Sequence, residues 1–150
     1  MTRLPHGPVA GERGVGVRAR HGKRIDHATL PIVSSPSGLP TQHLVSARDG
    51  AERIFVAQQW LLPGERVLLH THPVEEAITF LAGSGDATLG DETVPIAAGV
   101  SLYIPAGVVH GFRCTEGTLH VLVVFPTPTF AETTIVDNAP GERQRHRQPS

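Results

Sequence analysis

Two stretches dominate this chain: residues 64–83, GERVLLHTHPVEEAITFLAG, and residues 99–110, GVSLYIPAGVVH. In the first, 66–70 is a short apolar run of strand character, and His70-Thr71-His72 stands at its end. Side chains alternate across a strand, so residues two apart share a face and both imidazoles point the same way. Two neutral imidazoles side by side supply adjacent ligands to one metal ion. Glu76 is the next group of the same parity, followed by Ile78 and Phe80, whereas Glu75 has the opposite parity. His110 begins another strand-like run, 108–114, and can arrive from a neighbouring strand. Three His and one Glu would fill four positions of an octahedron and leave about two for water, substrate or oxygen. A structural zinc site normally closes all its positions, so an open set of this kind is built for exchange.

Outward from these stretches the pattern stays β. Runs of strand character occupy 53–62, 66–70, 75–82, 86–89, 93–96, 100–104, 108–114 and 118–125, with weaker ones at 29–33, 43–47 and 133–136. Gly90-Asp91 between two runs is a tight hairpin signal, and Pro63-Gly64 is a second turn. Sixteen Gly and thirteen Pro punctuate the chain without forming a linker. No window of a dozen residues supports an amphipathic helix. Many short strands at regular spacing predict an all-β sandwich or barrel. At 150 residues the chain has the length of one domain, enough to bury one core.

Charge divides the chain into three. Residues 1–27 carry six Lys/Arg against two acids, 138–150 carry three Arg against one acid, and 28–137 carries four Arg against eleven acids. The ends therefore read as basic, solvated tails on an acidic body. No aromatic residues interleave with their charges to stack on bases, so nucleic acid is not an expected partner. A single cysteine, Cys114, excludes an intrachain disulfide and a Cys-only zinc site. No apolar run reaches membrane-spanning length, and the N-terminal residues lack the apolar core of a signal peptide. A cytoplasmic protein with no membrane partner is the expectation.

The spacing sharpens the metal reading. Gly64, five residues, His70-Thr71-His72, three residues, Glu76, six residues, Gly83 forms one motif. Gly99, five residues, Pro105-Ala106-Gly107, two residues, His110 forms the second, after the 15 residues from Ser84 to Ala98. This pair resembles the two motifs of the cupin superfamily. The resemblance implies a double-stranded β-helix (jelly-roll) barrel over residues 28–137. It also implies one divalent transition metal ion per chain (Fe, Mn, Ni, Cu or Zn), held by His70, His72, Glu76 and His110. Where families of this type usually place Asn at the end of the second motif, this chain has Cys114. That residue reads as a small buried apolar group or, alternatively, as an oxidisable thiol near the metal. The resemblance further implies a homodimer, with 29–47 packing on the neighbour.

A pocket can be outlined from parity. Ile78, Phe80, Phe112 and Cys114 share the ligands' face, as do Leu68 and Arg66, the latter placed to meet a carboxylate at the barrel mouth. In 53–62 one face carries Ile54, Val56, Gln58 and Trp60, the other Phe55, Ala57, Gln59 and Leu61. Gln58, Trp60, Tyr103 and His120 complete the expected pocket. Such a lining is mostly apolar, and no Lys/Arg cluster is present to neutralise a phosphate. The expectation is a metal-dependent enzyme acting on a small, fairly apolar or aromatic oxygenated molecule. Resemblance to quercetinases points to dioxygenase chemistry, an oxidoreductase with Glu76 as the catalytic base. A metal-dependent isomerase, cyclase or lyase without oxygen, or a non-catalytic binding module, are the alternatives.

Overall fold

The computed structural model describes residues 21–137. The tail expected at 138–150, and all but the last residues of the one at 1–27, lie outside them. Nine strands make up the body: β1 (Ile32–Ser34), β2 (Pro40–Val45), β3 (Phe55–Leu61), β4 (Arg66–Thr71), β5 (Glu76–Leu89), β6 (Glu92–Ala97), β7 (Ser101–Ile104), β8 (His110–Phe125) and β9 (Thr134–Ile135). The helical pieces among the described residues are two 3-10 turns, His27–Thr29 and Ala47–Asp49. None is long and apolar enough to cross a membrane.

The strands pair antiparallel throughout. β8 is the central element. One of its edges takes β3 along 119–125 and β4 along 110–113, and the other takes β5 for almost its whole length. β6 and β7 pair with β5, while β2 and β1 extend the sheet beyond β3. The sheet curls around an apolar interior that includes Phe55, Phe80, Phe125, Leu119 and Val121, all fully buried. This is the all-β barrel expected from the strand pattern.

Two pairs of expected strands are each a single long one. The runs 75–82 and 86–89 are both β5, and 108–114 and 118–125 are both β8. Glycine bends these strands without ending their pairing: Gly83 and Gly117 have φ of +76° and +69°, and the β5–β8 register shifts between Phe80 and Gly85. At Gly85 the two backbones come so close that a Cβ would lie 1.8 Å from the Arg113 carbonyl oxygen. The hairpin at Gly90-Asp91 is as expected, with Leu89 paired to Glu92.

Candidate metal centre

His70 is the penultimate residue of β4, His72 follows the strand directly, Glu76 opens β5 and His110 opens β8. Pairing places His70 directly across from His110. A bulge in β4 prepares that meeting: Val67 pairs with Phe112 and His70 with His110, so three steps on β4 match two on β8. One ligand atom from each of His70, His72, Glu76 and His110 lies within 4.8 Å of all the others. All four residues are buried, Glu76 to 5% exposure.

The outer nitrogens of the three rings are tied to backbone carbonyls. His70 Nδ1 is 2.6 Å from Leu68 O, His72 Nδ1 is 2.9 Å from Glu132 O, and His110 Nδ1 is 2.9 Å from Val108 O. A carbonyl oxygen only accepts, so each Nδ1 donates and each neutral ring turns an Nε2 lone pair inward. His70 Nε2 and His72 Nε2 are 3.0 Å apart, and the Glu76 carboxylate oxygen Oε2 is 2.7 Å from His110 Nε2 and 3.2 Å from His72 Nε2. Lone pairs facing one another at such distances repel unless a cation lies among them: a proton in the ring–carboxylate contacts, or a metal ion in its place. The donor set therefore fits a divalent transition metal: three imidazoles fixed in the ligating tautomer and one carboxylate.

Electrostatics agree with that arrangement. Burial, with His110 and His72 nearby, lowers the His70 pKa to about 4. Burial also opposes charge on His72, but its bonds to the Glu76 carboxylate and the Glu132 carbonyl prevail and raise its pKa. Burial likewise disfavours the Glu76 carboxylate, yet hydrogen bonds from His110 and His72 hold its pKa below the ordinary value. At neutral pH His70 is an unprotonated ligand, and a metal entering the centre competes with a proton chiefly at His72. Metal affinity is expected to be full above the raised His72 value and to weaken by about tenfold per pH unit below it. Chelator competition between pH 8 and 5 measures this, and a flat profile would contradict the ligand set.

His70, His72 and Glu76 open onto a cavity also lined by Gln59, Val67, Ile78, Phe112, Val123, Phe130 and Thr133, with Ser35, Pro36 and Ser37 on its part-exposed side. Free space within it is ≈ 20 Å³, room for about one water-sized sphere. Of the residues expected to line a pocket, Ile78 and Phe112 do so. Phe80 points inward but packs edge-on to Phe112, ring centroids 5.4 Å apart, and does not reach the cavity.

The remaining pocket expectations are corrected by the structure. Gln58, Trp60 and His120 occupy the opposite face of the sheet: His120 Nε2 lies 2.7 Å from Gln58 Oε1, and its ring stacks on Trp60. The inward face of β3 is Phe55, Ala57, Gln59 and Leu61. Arg66 and Leu68 precede or sit in the β4 bulge, where alternation from His70 breaks; Val67 faces inward instead, and Arg66 pairs with Asp137. Tyr103 is 65% exposed, between the buried Leu102 and Ile104, and donates to Glu75. Cys114 is fully buried away from the cavity, its thiol donating to the Gly117 carbonyl at 3.2 Å, with its pKa raised by burial. It is the small core residue, not a thiol beside the centre. Gln59, Phe130 and Thr133 were missed. Each face of 53–62 carries one glutamine among apolar groups, so no local pattern singles out Gln59, and the other two arrive through tertiary folding.

A barrel of this topology with three His and one Glu converging from β4, β5 and β8 defines a metal-site cupin. The chain belongs to the cupin superfamily, and the cupin domain family matches residues 59–125. An uncharacterized protein of Streptomyces coelicolor, SCO3923, is 40% identical over 90 residues, covering 55% of this chain and 86% of that protein. Protein SchB of Streptomyces halstedii is 36% identical over 77 residues, 51% of this chain, which spans only 55% of SchB. Among solved structures, the polyketide cyclase RemF from Streptomyces resistomycificus superposes with a TM-score of 0.67 at 26% identity, over 80% of this chain and 89% of RemF. Oxalate decarboxylase from Bacillus subtilis shares the fold, with a TM-score of 0.64 at 23% identity; the match covers 77% of this chain and 33% of that one.

Proposed function

We propose that this protein is a metal-dependent enzyme acting on a small, fairly apolar or aromatic oxygenated molecule, and that its reaction is a non-oxidative, cyclase-type closure of a polyketide-like substrate. The observation that carries the reading is the convergence of four ligand atoms within 4.8 Å at the wall of a mostly apolar cavity. The likeness to RemF, a polyketide cyclase, favours ring closure over the oxidative cleavage expected from the sequence. His70, His72, Glu76 and His110 would hold the ion. When bound, a divalent ion there supplies Lewis acidity that makes a ketone-flanked C–H or a phenol easier to deprotonate.

The chain's own part is proton handling and exclusion of water. Glu76 is the one carboxylate among the residues lining the cavity, and its Oε1 has no partner among the described residues. That oxygen is the base for a substrate proton. Val67, Ile78, Phe112, Val123 and Phe130 keep the site apolar.

The test is turnover of oxygenated aromatic polyketides by metal-loaded protein without oxygen. Ring closure proceeds at the aerobic rate; the second reading, dioxygenase cleavage, which the open three-His-one-Glu donor set also serves, requires oxygen. At saturating metal, Glu76→Gln is expected to lower turnover by about 100-fold or more, and unchanged turnover would remove Glu76 as the base. For the homodimer, we propose the sheet's β1 end as the contact: Ile32 and Val33 there are 40% and 38% exposed. Sedimentation at several concentrations checks it, with a monomer throughout as the contrary result.

A further inference from the structure

Gln59 is 4% exposed and lines the same cavity as His70, His72 and Glu76. Its neighbour Thr41, fully buried, fixes how the amide is oriented. The Thr41 hydroxyl donates to the Leu39 carbonyl at 3.0 Å, which can only accept. Thr41 Oγ1 must then accept from Gln59, so the 3.1 Å contact between them is Nε2–H to Oγ1. Gln59 Oε1 is left without a partner among the described residues. An unpaired amide oxygen inside an apolar wall is unfavourable, and a flip would only exchange it for two lone pairs facing each other at Thr41. The same strand offers a contrast: the Gln58 amide, on the other face, bonds both His120 and Gln42.

We infer that Gln59 is the specificity-determining residue of the site, its Oε1 accepting a hydrogen bond from a substrate hydroxyl. The substrate class it selects is an oxygenated aromatic that keeps one hydroxyl protonated beside the oxygen presented to the metal centre. A site built to accept such a bond rejects an analogue lacking the donor, because the buried oxygen is then left unpaired. This inference rests on the metal-dependent reading above.

The probes are catechol and 2-methoxyphenol, which differ by replacement of one hydroxyl donor with a methoxy group. They are titrated calorimetrically into Zn²⁺-loaded protein. Wild type is expected to prefer catechol by about tenfold or more. Gln59→Met keeps the length of the side chain and removes the acceptor; the preference should fall below about threefold while zinc affinity stays unchanged. A merely structural Gln59 would instead lower the melting temperature and leave the preference intact. Thr41→Val, which releases the amide from its anchor but leaves Gln59 in place, should reduce the preference part-way and guards against a misfolded Gln59 variant. Equal binding of the two probes by zinc-loaded wild type, binding of neither, or an unchanged preference in Gln59→Met overturns the assignment. Failure of the wild type to hold zinc or another divalent metal is read separately, and overturns both the metal reading and the inference built on it.

Discussion

Replacing His70 and His72 together by alanine is expected to abolish stoichiometric metal binding. Protein purified without a histidine tag should carry about one equivalent of transition metal, and the double variant less than about 0.1 by elemental mass spectrometry. The size of the effect follows from the geometry. Both rings face the centre with lone pairs held inward by the Leu68 and Glu132 carbonyls, so alanine removes half the ligand set at once. The variant also loses metal-linked stability. For wild type, free metal at a hundred times its Kd stabilises the folded chain by about 2.7 kcal/mol, seen as a raised melting temperature. The double variant should show no shift on metal addition. Equal metal content in the two proteins would place the ion elsewhere.

The second large effect belongs to the scaffold. Gly85→Ala is expected to destabilise the fold by about 3 kcal/mol or more, measured by chemical denaturation. Its methyl group would lie 1.8 Å from the Arg113 carbonyl oxygen and 2.9 Å from the carbonyl carbon. Those atoms are backbone in the longest strand pairing of the sheet, so neither side can yield without breaking β5–β8 bonds. Gly99→Ala is the control. Gly99 has φ of +87° but nothing within 4 Å of an added Cβ, so it should cost only the about 1–2 kcal/mol of left-handed backbone. If the two substitutions cost the same, crowding at Gly85 is not what excludes a side chain.

How far the sequence could be read depended on whether alternation survived. Along β5 it did, and Glu76, Ile78 and Phe80 all face inward as their parity required. Around His70 it did not. The bulge shifts the frame between Val67 and His70, so strict alternation puts Arg66 and Leu68 on the wrong face and His70 on the right one. In β3 the pattern offered no choice, since each face carries a glutamine among apolar groups. The outer face of this sheet is apolar too, and only the pairing of β3 with β8 reveals which glutamine meets the cavity. Strand lengths were underestimated for a related reason. Glycines at 83 and 117 look like chain breaks, yet the neighbouring strand continues to pair across them. The contributions of Phe130, Glu132 and Thr133 depend on how the chain after β8 folds back over β4, which no local pattern encodes.

Because Glu76 and His110 stand 34 residues apart, and His110 comes level with His70 only when β8 pairs with β4, the four-residue donor set is complete only once the sheet has closed. In kinetic terms the protein is a high-contact-order folder, and an ion needing all four donors would bind after the slow step. An ion bound to the finished barrel therefore retards unfolding far more than it accelerates folding. Metal supply would set how long each molecule survives, while the rate at which new molecules fold stays a property of the polypeptide alone.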